Sequence, residues 1–367
     1  MRIEKIANRQ LWFLLFLMRS TIILAYLPVL TSADALQDAW ISAIVTLFGS
    51  QIFILLIALL ATKFPDKTII QYSQLLLGYW PGKLFSLVFL WLFLQLSVVD
   101  IRIYSEVLIT GFLPHTPIIF ITGIMVFAAT VCVQQGIEVL GRIADVLFIL
   151  FVFMLVGVVL VPLGEFDIHN LQPVFVRGWG PVLRGALTPV ALISQAWVLG
   201  ILTPATLSPK KVIKTAMTAE GASLAILILV AIITIGVLSP QEGARATFPL
   251  LTLIRSVQIT YFLQRMEVLV IFSWGFGLFI SVSTFLYSGA KGFSQWLKIE
   301  DYRILLWPMA VIWVFMAVGG FKDIFALNEF FQPAIFAPYG LALLIFPLAL
   351  LWLAYLLRNT TGRSKGD

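Results

Sequence analysis

Charge is what this chain has least of. Asp, Glu, Lys and Arg make up 11% of its 367 residues, against about a quarter in an ordinary soluble domain. Its single cysteine, Cys132, excludes an internal disulfide. The two histidines, His115 and His169, have no neighbours at metal-ligand spacing. No glycine-rich phosphate loop and no nucleophile elbow occurs, and no carboxylate, histidine or cysteine set is arranged for catalysis. These absences leave no cofactor or metal to expect and no ground for an enzyme. The net charge of +6 could mean nucleic acid in a soluble protein. Here the basic residues follow the loops between apolar runs, and no nucleic-acid partner is expected.

What is present is hydrocarbon. Hydrophobic residues make up 60% of the chain and the mean hydropathy is +1.02. An apolar helix of about 20 residues crosses a bilayer, and candidate runs lie at 10–30, 40–62, 84–112, 118–133, 144–161, 182–203, 219–237, 266–293, 304–318 and 335–357. The chain is expected to be an all-α integral membrane protein with ten transmembrane helices and no separate soluble domain. Ala33-Asp34-Ala35 imitates a signal-peptidase site, but the preceding run is longer than a signal core and carries Arg19, so it is expected to be retained. With the N-terminus taken as cytoplasmic, the inside segments hold Arg2, Lys5, Arg9, Lys63, Lys67, Lys83, Arg142, Lys210, Lys211, Lys214, Lys291, Lys298, Arg303, Arg358, Arg363 and Lys365. The outside segments hold only Arg177, Arg184, Arg245, Arg255, Arg265 and Lys322. The positive-inside rule thus places both termini in the cytoplasm, which an even number of spans requires.

The chain divides into two five-helix halves, 1–162 and 179–358, followed by a cytoplasmic tail at 359–367. Two amphipathic stretches too polar to span, 66–80 and 248–263, follow the second and seventh runs, at equivalent places on opposite sides of the membrane. That is the pattern of an inverted repeat. The first and sixth runs also correspond. Each has a polar or helix-breaking interior, Arg19-Ser20-Thr21 in one and Thr188-Pro189 with Ser194-Gln195 in the other, and each ends near a proline, Pro28 or Pro204. Paired interrupted helices point to a midplane binding site, because unwound backbone offers free N–H and C=O groups; the alternative is that Pro189 only kinks a packed helix. Ten spans arranged five plus five, with interruptions in the first and sixth, suggest the LeuT-like fold of amino acid, polyamine and organocation permeases.

Three charges, Asp100, Arg102 and Glu106, lie inside the third run. At about 100° per residue, Arg102 and Glu106 fall about 40° apart, an i,i+4 couple able to brace itself near the outer helix end. Asp100 lies on another face with Ser97 and Tyr104 and lacks such a local partner. It could pair with Arg19, accept hydroxyls or exchange protons. The eighth run carries Ser273, Gly277, Ser281, Thr284 and Ser288 within an arc of about 80°, a stripe fit either for close helix packing or for lining a wet cavity. Trp197 and Trp274 could close over an apolar ligand or simply pack.

Several segments, in order, resemble the B subunits of spore germinant receptors, the GerAB-type endospore germination permeases. They are Pro65-Asp66-Lys67-Thr68 through Gly78-Tyr79-Trp80, Asp100-x-Arg102-x-x-x-Glu106 leading to Phe112-Leu113-Pro114-His115-Thr116-Pro117, Asn170-Leu171-Gln172-Pro173-Val174, Pro209-Lys210-Lys211, and Thr247-Phe248-Pro249 before Arg265-Met266-Glu267. The resemblance implies a protein of the endospore inner membrane that works with an A subunit and a C lipoprotein and senses a small-molecule nutrient such as an amino acid. An ion-coupled amino acid transporter is the alternative. By the same resemblance the nutrient lies between the first and sixth spans, flanked by the third and eighth. That makes Ser20, Thr21, Ile22, Asp100, Tyr104, Ser194, Gln195, Ala196, Trp197, Ser281 and Thr284 the expected lining, with Arg19, Arg102 and Glu106 as structural or gating charges. Thr21, Ile23, Ala196 and Val198 depart from the smaller or acidic residues frequent in relatives. The fifth run has no lysine that could stand in for a coupling sodium ion.

Overall fold

A computed structural model describes residues 4–25, 34–246, 248–256 and 267–363. Its described regular structure is helical apart from one isolated bridge between Ile6 and Thr206. A helix or a broken helix meets each expected run. In order these are Asn8–Ala25, Ala39–Lys63, Tyr79–Gly111, Ile118–Gln134, Ile137–Leu160, the broken span Trp179–Ala205, Val212–Leu238, Glu267–Leu297, Arg303–Gly319 and Pro333–Arg363. Among the described residues seven helices are long and apolar enough to cross a membrane. An eighth is added if Arg303–Gly319 and Ile324–Phe330, bent by 98°, count as one span, and Ile118–Gln134 is a shorter apolar helix. Pro28, Thr247, Arg265 and Met266 lie outside the described residues.

The stretch expected to be amphipathic from 66 to 80 is shorter than its sequence pattern. Thr68 and Gln71 form a capping box that starts the helix Ile69–Leu77. Gly78 then turns at φ +93°, a conformation side chains resist, and the third span begins at Tyr79 rather than at 84. Tyr79 and Trp80 therefore open the third span. The corresponding helix of the second half is Pro249–Ser256.

These two short helices lie at opposite ends of the third span. Ile69–Leu77 directly precedes Tyr79, whereas Arg255 sits over the ring of Phe112, just past Gly111, at 5.4 Å. Glu4 and Asp66 line one cavity, and Lys63 lies 5.9 Å from the ring of Tyr355 in the last helix. The N-terminal segment and the end of the tenth span thus share one face, as an even number of crossings demands. Lys63, Lys210, Lys291 and Arg303 border cavities on that face.

The eighth span is the hub, packed against the first, third, fourth, fifth and ninth. Gly277 is why it can approach the first so closely. A Cβ there would lie 2.1 Å from Thr21 Oγ1 and 3.0 Å from the Leu17 carbonyl. One part of the small-residue stripe therefore serves packing.

Candidate ligand-binding site

The sixth span is α-helical over Trp179–Ala191, 3-10 over Leu192–Val198, α-helical again over Leu199–Leu202 and 3-10 over Thr203–Ala205. The break falls just after Pro189, which has no N–H to give the preceding turn. The Pro189 carbonyl instead accepts a hydrogen bond from Arg19 Nη2 at 2.9 Å. Arg19 also donates from Nε to Glu220 Oε1 in the seventh span at 3.1 Å, with both side chains buried. One guanidinium thus ties together the first span, the edge of the break in the sixth, and the seventh.

Of the partners open to Asp100, this arrangement removes Arg19, and Asp100 accepts a serine hydroxyl instead. Burial makes a charge seek the nearest counter-charge, and the seventh span supplies it in Glu220. The signal for Glu220 was the same one that marked Asp100, a lone acid in an apolar run, and it was missed because it stood beside the loop lysines. The interruption expected at Arg19-Ser20-Thr21 is also absent from the described part of the first span, which is α-helical through Ala25. Arg19 finds its partners from an intact helix, and Thr21 returns its hydroxyl to the Leu17 carbonyl at 2.9 Å.

Beside this junction lies a small cavity bordered by Leu15, Met18, Arg19, Ile54, Ile193, Gln195, Ala196 and Glu220. It leaves about 20 Å³ for water centres, enough for one water molecule. Arg19 Nη1 and both polar atoms of Gln195 are buried without a hydrogen-bond partner among the described residues. The same holds for Ser20 Oγ and Trp197 Nε1. Trp197 is fully buried with its ring edge-on to Phe89 at 5.0 Å. Ile22, Ser194 and Ala196 are buried too. Native interiors satisfy nearly all such groups, so their concentration around one helix break is unusual.

Asp100 belongs to a second junction. It is buried and accepts a hydrogen bond from Ser281 Oγ at 2.5 Å, which joins the third and eighth spans. Ser97, one turn earlier, is buried with its hydroxyl unpartnered among the described residues. Tyr104 is half-buried and turns its ring edge to Trp274 at 6.0 Å, with its hydroxyl against Gly275. Thr284 gives its hydroxyl to the Ile280 carbonyl at 2.7 Å. The expected lining is therefore divided: Gln195 and Ala196 share one cavity with the charge of Arg19, and Asp100 with Ser281 forms a separate contact.

Arg102 and Glu106 make a third feature. Arg102 Nη2 lies 2.6 Å from Glu106 Oε1, and Nη1 donates to the carbonyls of Ala317 at 3.1 Å and Val318 at 2.8 Å. The pair caps the C-terminal end of the ninth span, where unpaired carbonyls and the helix dipole favour a cation. Gln95 is bound by the Tyr339 hydroxyl, which also accepts from Trp91 Nε1.

Sequence reasoning also overlooked the clamp on the basic face. Glu4 pairs with Arg303 at 2.5 Å and accepts from the Ile137 N–H at 3.1 Å, and Arg303 Nε donates to the Gln134 carbonyl at 2.9 Å. Beside it, burial and then the Glu4 charge push the Tyr302 hydroxyl above the usual phenol range. It remains a donor to the Val133 carbonyl at 3.3 Å.

A family model described as "Spore germination protein" matches residues 5–319. The chain belongs to this spore germination protein family. It is 28% identical over 294 residues to Spore germination protein YndE of Bacillus subtilis (strain 168), covering 80% of this chain and 81% of that one. Spore germination protein KB of the same strain is 29% identical over 344 residues, with 90% of each chain covered. Among solved structures, MhsT in complex with L-phenylalanine superposes with a TM-score of 0.69 over 93% of this chain and 89% of its own, at 16% identity. At that identity the likeness shows the fold alone, which is LeuT-like. The spore germination protein is thus an integral membrane protein of permease type and not an enzyme.

Proposed function

We propose that this spore germination protein is the nutrient-sensing, permease-like subunit of a germinant receptor. It binds a small nutrient, an amino acid by preference, beside the broken sixth span and signals to an A subunit and a C lipoprotein in the inner membrane of the endospore, with both termini cytoplasmic. The observation that carries this reading is Gln195. Its side chain is buried at the helix break, without a partner among the described residues, and borders the same cavity as Arg19, whose Nη1 is likewise without one. The cavity as it stands has room for one water, so a nutrient enters as the first and sixth spans part, and meets Ser20, Thr21 and Ile22 from the first and Ser194, Gln195, Ala196 and Trp197 from the sixth. Because Arg19 also holds Glu220, a ligand that recruits Arg19 shifts the first, sixth and seventh spans relative to one another. The ligand has to bind one arrangement about tenfold tighter for each 1.4 kcal/mol of shift.

The test is a thermal-shift screen of amino acids and sugars on the purified chain, alongside uptake of labelled solute into liposomes. Binding without flux is expected. Gradient-driven uptake by the chain alone would overturn the sensor in favour of an ion-coupled transporter.

A further inference from the structure

Among the described residues four acids are buried, and of these Asp38, just before the second span, accepts from the Phe175 N–H while Asp100 lies within the third span. Glu220 has Arg19 and Glu106 has Arg102, whereas none of the five ion pairs among the described residues includes Asp100. Its described side-chain partner is a neutral hydroxyl, Ser281. The elements packed against the third span offer no relief. The eighth span has Tyr287 as its sole ionisable group between Glu267 and Lys291, and the fourth has Cys132. Ile69–Leu77 offers Tyr72, Ile324–Phe330 offers Glu329, and the ninth span after Arg303 and the break at Leu192–Val198 offer nothing ionisable. On its own helix, Tyr104 turns to Trp274, Glu106 bears the same sign as a carboxylate at Asp100, and Arg102 is committed to Glu106 and two carbonyls. A bare carboxylate in a low-dielectric interior is so unfavourable that it takes up a cation or a proton. Hard metal ions ask for about six oxygens, and among the described residues no group of three or more His, Cys, Asp or Glu side chains is placed to hold one.

We propose that Asp100 and Ser281 form a proton-binding site joining the third and eighth spans, with Asp100 held as the neutral acid while the two helices are packed. In that state the carbonyl oxygen of the acid accepts from Ser281, and the Ser97 hydroxyl, one turn away, is unpartnered among the described residues. When the helices part and water enters, the O–H bond of Asp100 breaks and its proton forms a new O–H bond on water. A carboxylate is left, hydrated at the opened interface. Separation of the third and eighth spans is thereby linked to release of one proton, whether the chain senses or transports.

Infrared difference spectroscopy of the full chain in lipid nanodiscs, stepped in pH in H2O and in D2O, tests this without any nutrient. At neutral pH the expected signal is the carbonyl stretch of a protonated carboxylic acid that moves down in D2O. It is lost in Asp100→Asn. In Ser281→Ala it is kept but moved to higher frequency, because the carbonyl has lost its donor. Should Asp100→Asn fail to fold, the Ser281→Ala displacement makes the assignment alone. Absence of the band at neutral pH overturns the proposal, as does a band unchanged in either variant. Removal of the band by sodium ions at constant pH also overturns it, in favour of a cation site. None of these outcomes bears on nutrient binding, so the receptor reading stands or falls separately.

Discussion

Two buried arginines, Arg19 and Arg102, have similar surroundings by composition and opposite degrees of satisfaction. Arg102 is paired within its own helix and spends its remaining donor on the last carbonyls of the ninth span. Arg19 joins three spans, and its Nη1, beside a broken helix, has no partner among the described residues. A saturated ion holds a structure in one arrangement. An undersaturated one, at the junction of elements able to move, has capacity left for a ligand or a change of partner. Burial of a charge is thus weaker evidence of function than the state of its hydrogen bonds.

The strongest way to break that contrast is to remove Arg19. Arg19→Ala leaves Glu220 buried and unpaired, with an expected loss of about 3–5 kcal/mol in stability, read as a lowered melting temperature in detergent. Adding Glu220→Ala should recover part of it, because the two residues form one unit; additive losses would contradict the pairing. Arg102→Ala should cost less, about 2–3 kcal/mol, since Glu106 lies nearer the helix end and two carbonyls lose a donor. Its ligand response, measured on the folded fraction, should stay like that of the unaltered chain.

Gly277→Ala tests the wall between the first and eighth spans. An expected loss of about 1–2 kcal/mol from overpacking should shrink in a Thr21→Ala background, because Thr21 Oγ1 is the nearest obstacle. The smallest stability effect is expected from Gln195→Leu, within about 1 kcal/mol, since the change removes unpartnered buried polar atoms. Yet the same substitution should abolish the nutrient-induced thermal shift. A retained shift would remove Gln195 from the site.

Much of the fold was legible because hydrocarbon length and the placement of lysine and arginine act over whole segments. The ten runs, the five-plus-five division and the self-paired couple Arg102 and Glu106 all rest on spacing within one helix or on averages over about 20 residues. The pairing of Arg19 was not legible. Spacing along one helix cannot tell which face of another helix will meet it, and the choice between Asp100 and Glu220 depended on that rotation. Nor could spacing show that Thr21 would spend its hydroxyl on Leu17, leaving Ser20 among the unpartnered groups.

A helical membrane protein, its repeat and its kinship with spore germination permeases follow from local chemistry or from order along the chain, and Pro189 marked where the sixth span could break or kink. It took the packing of the helices to show that Arg19 answers Glu220, that Asp100 meets Ser281, and that Gln195 borders one cavity with Arg19. Buried charges take partners according to how helices are rotated and packed, and that packing is a property of all ten spans together.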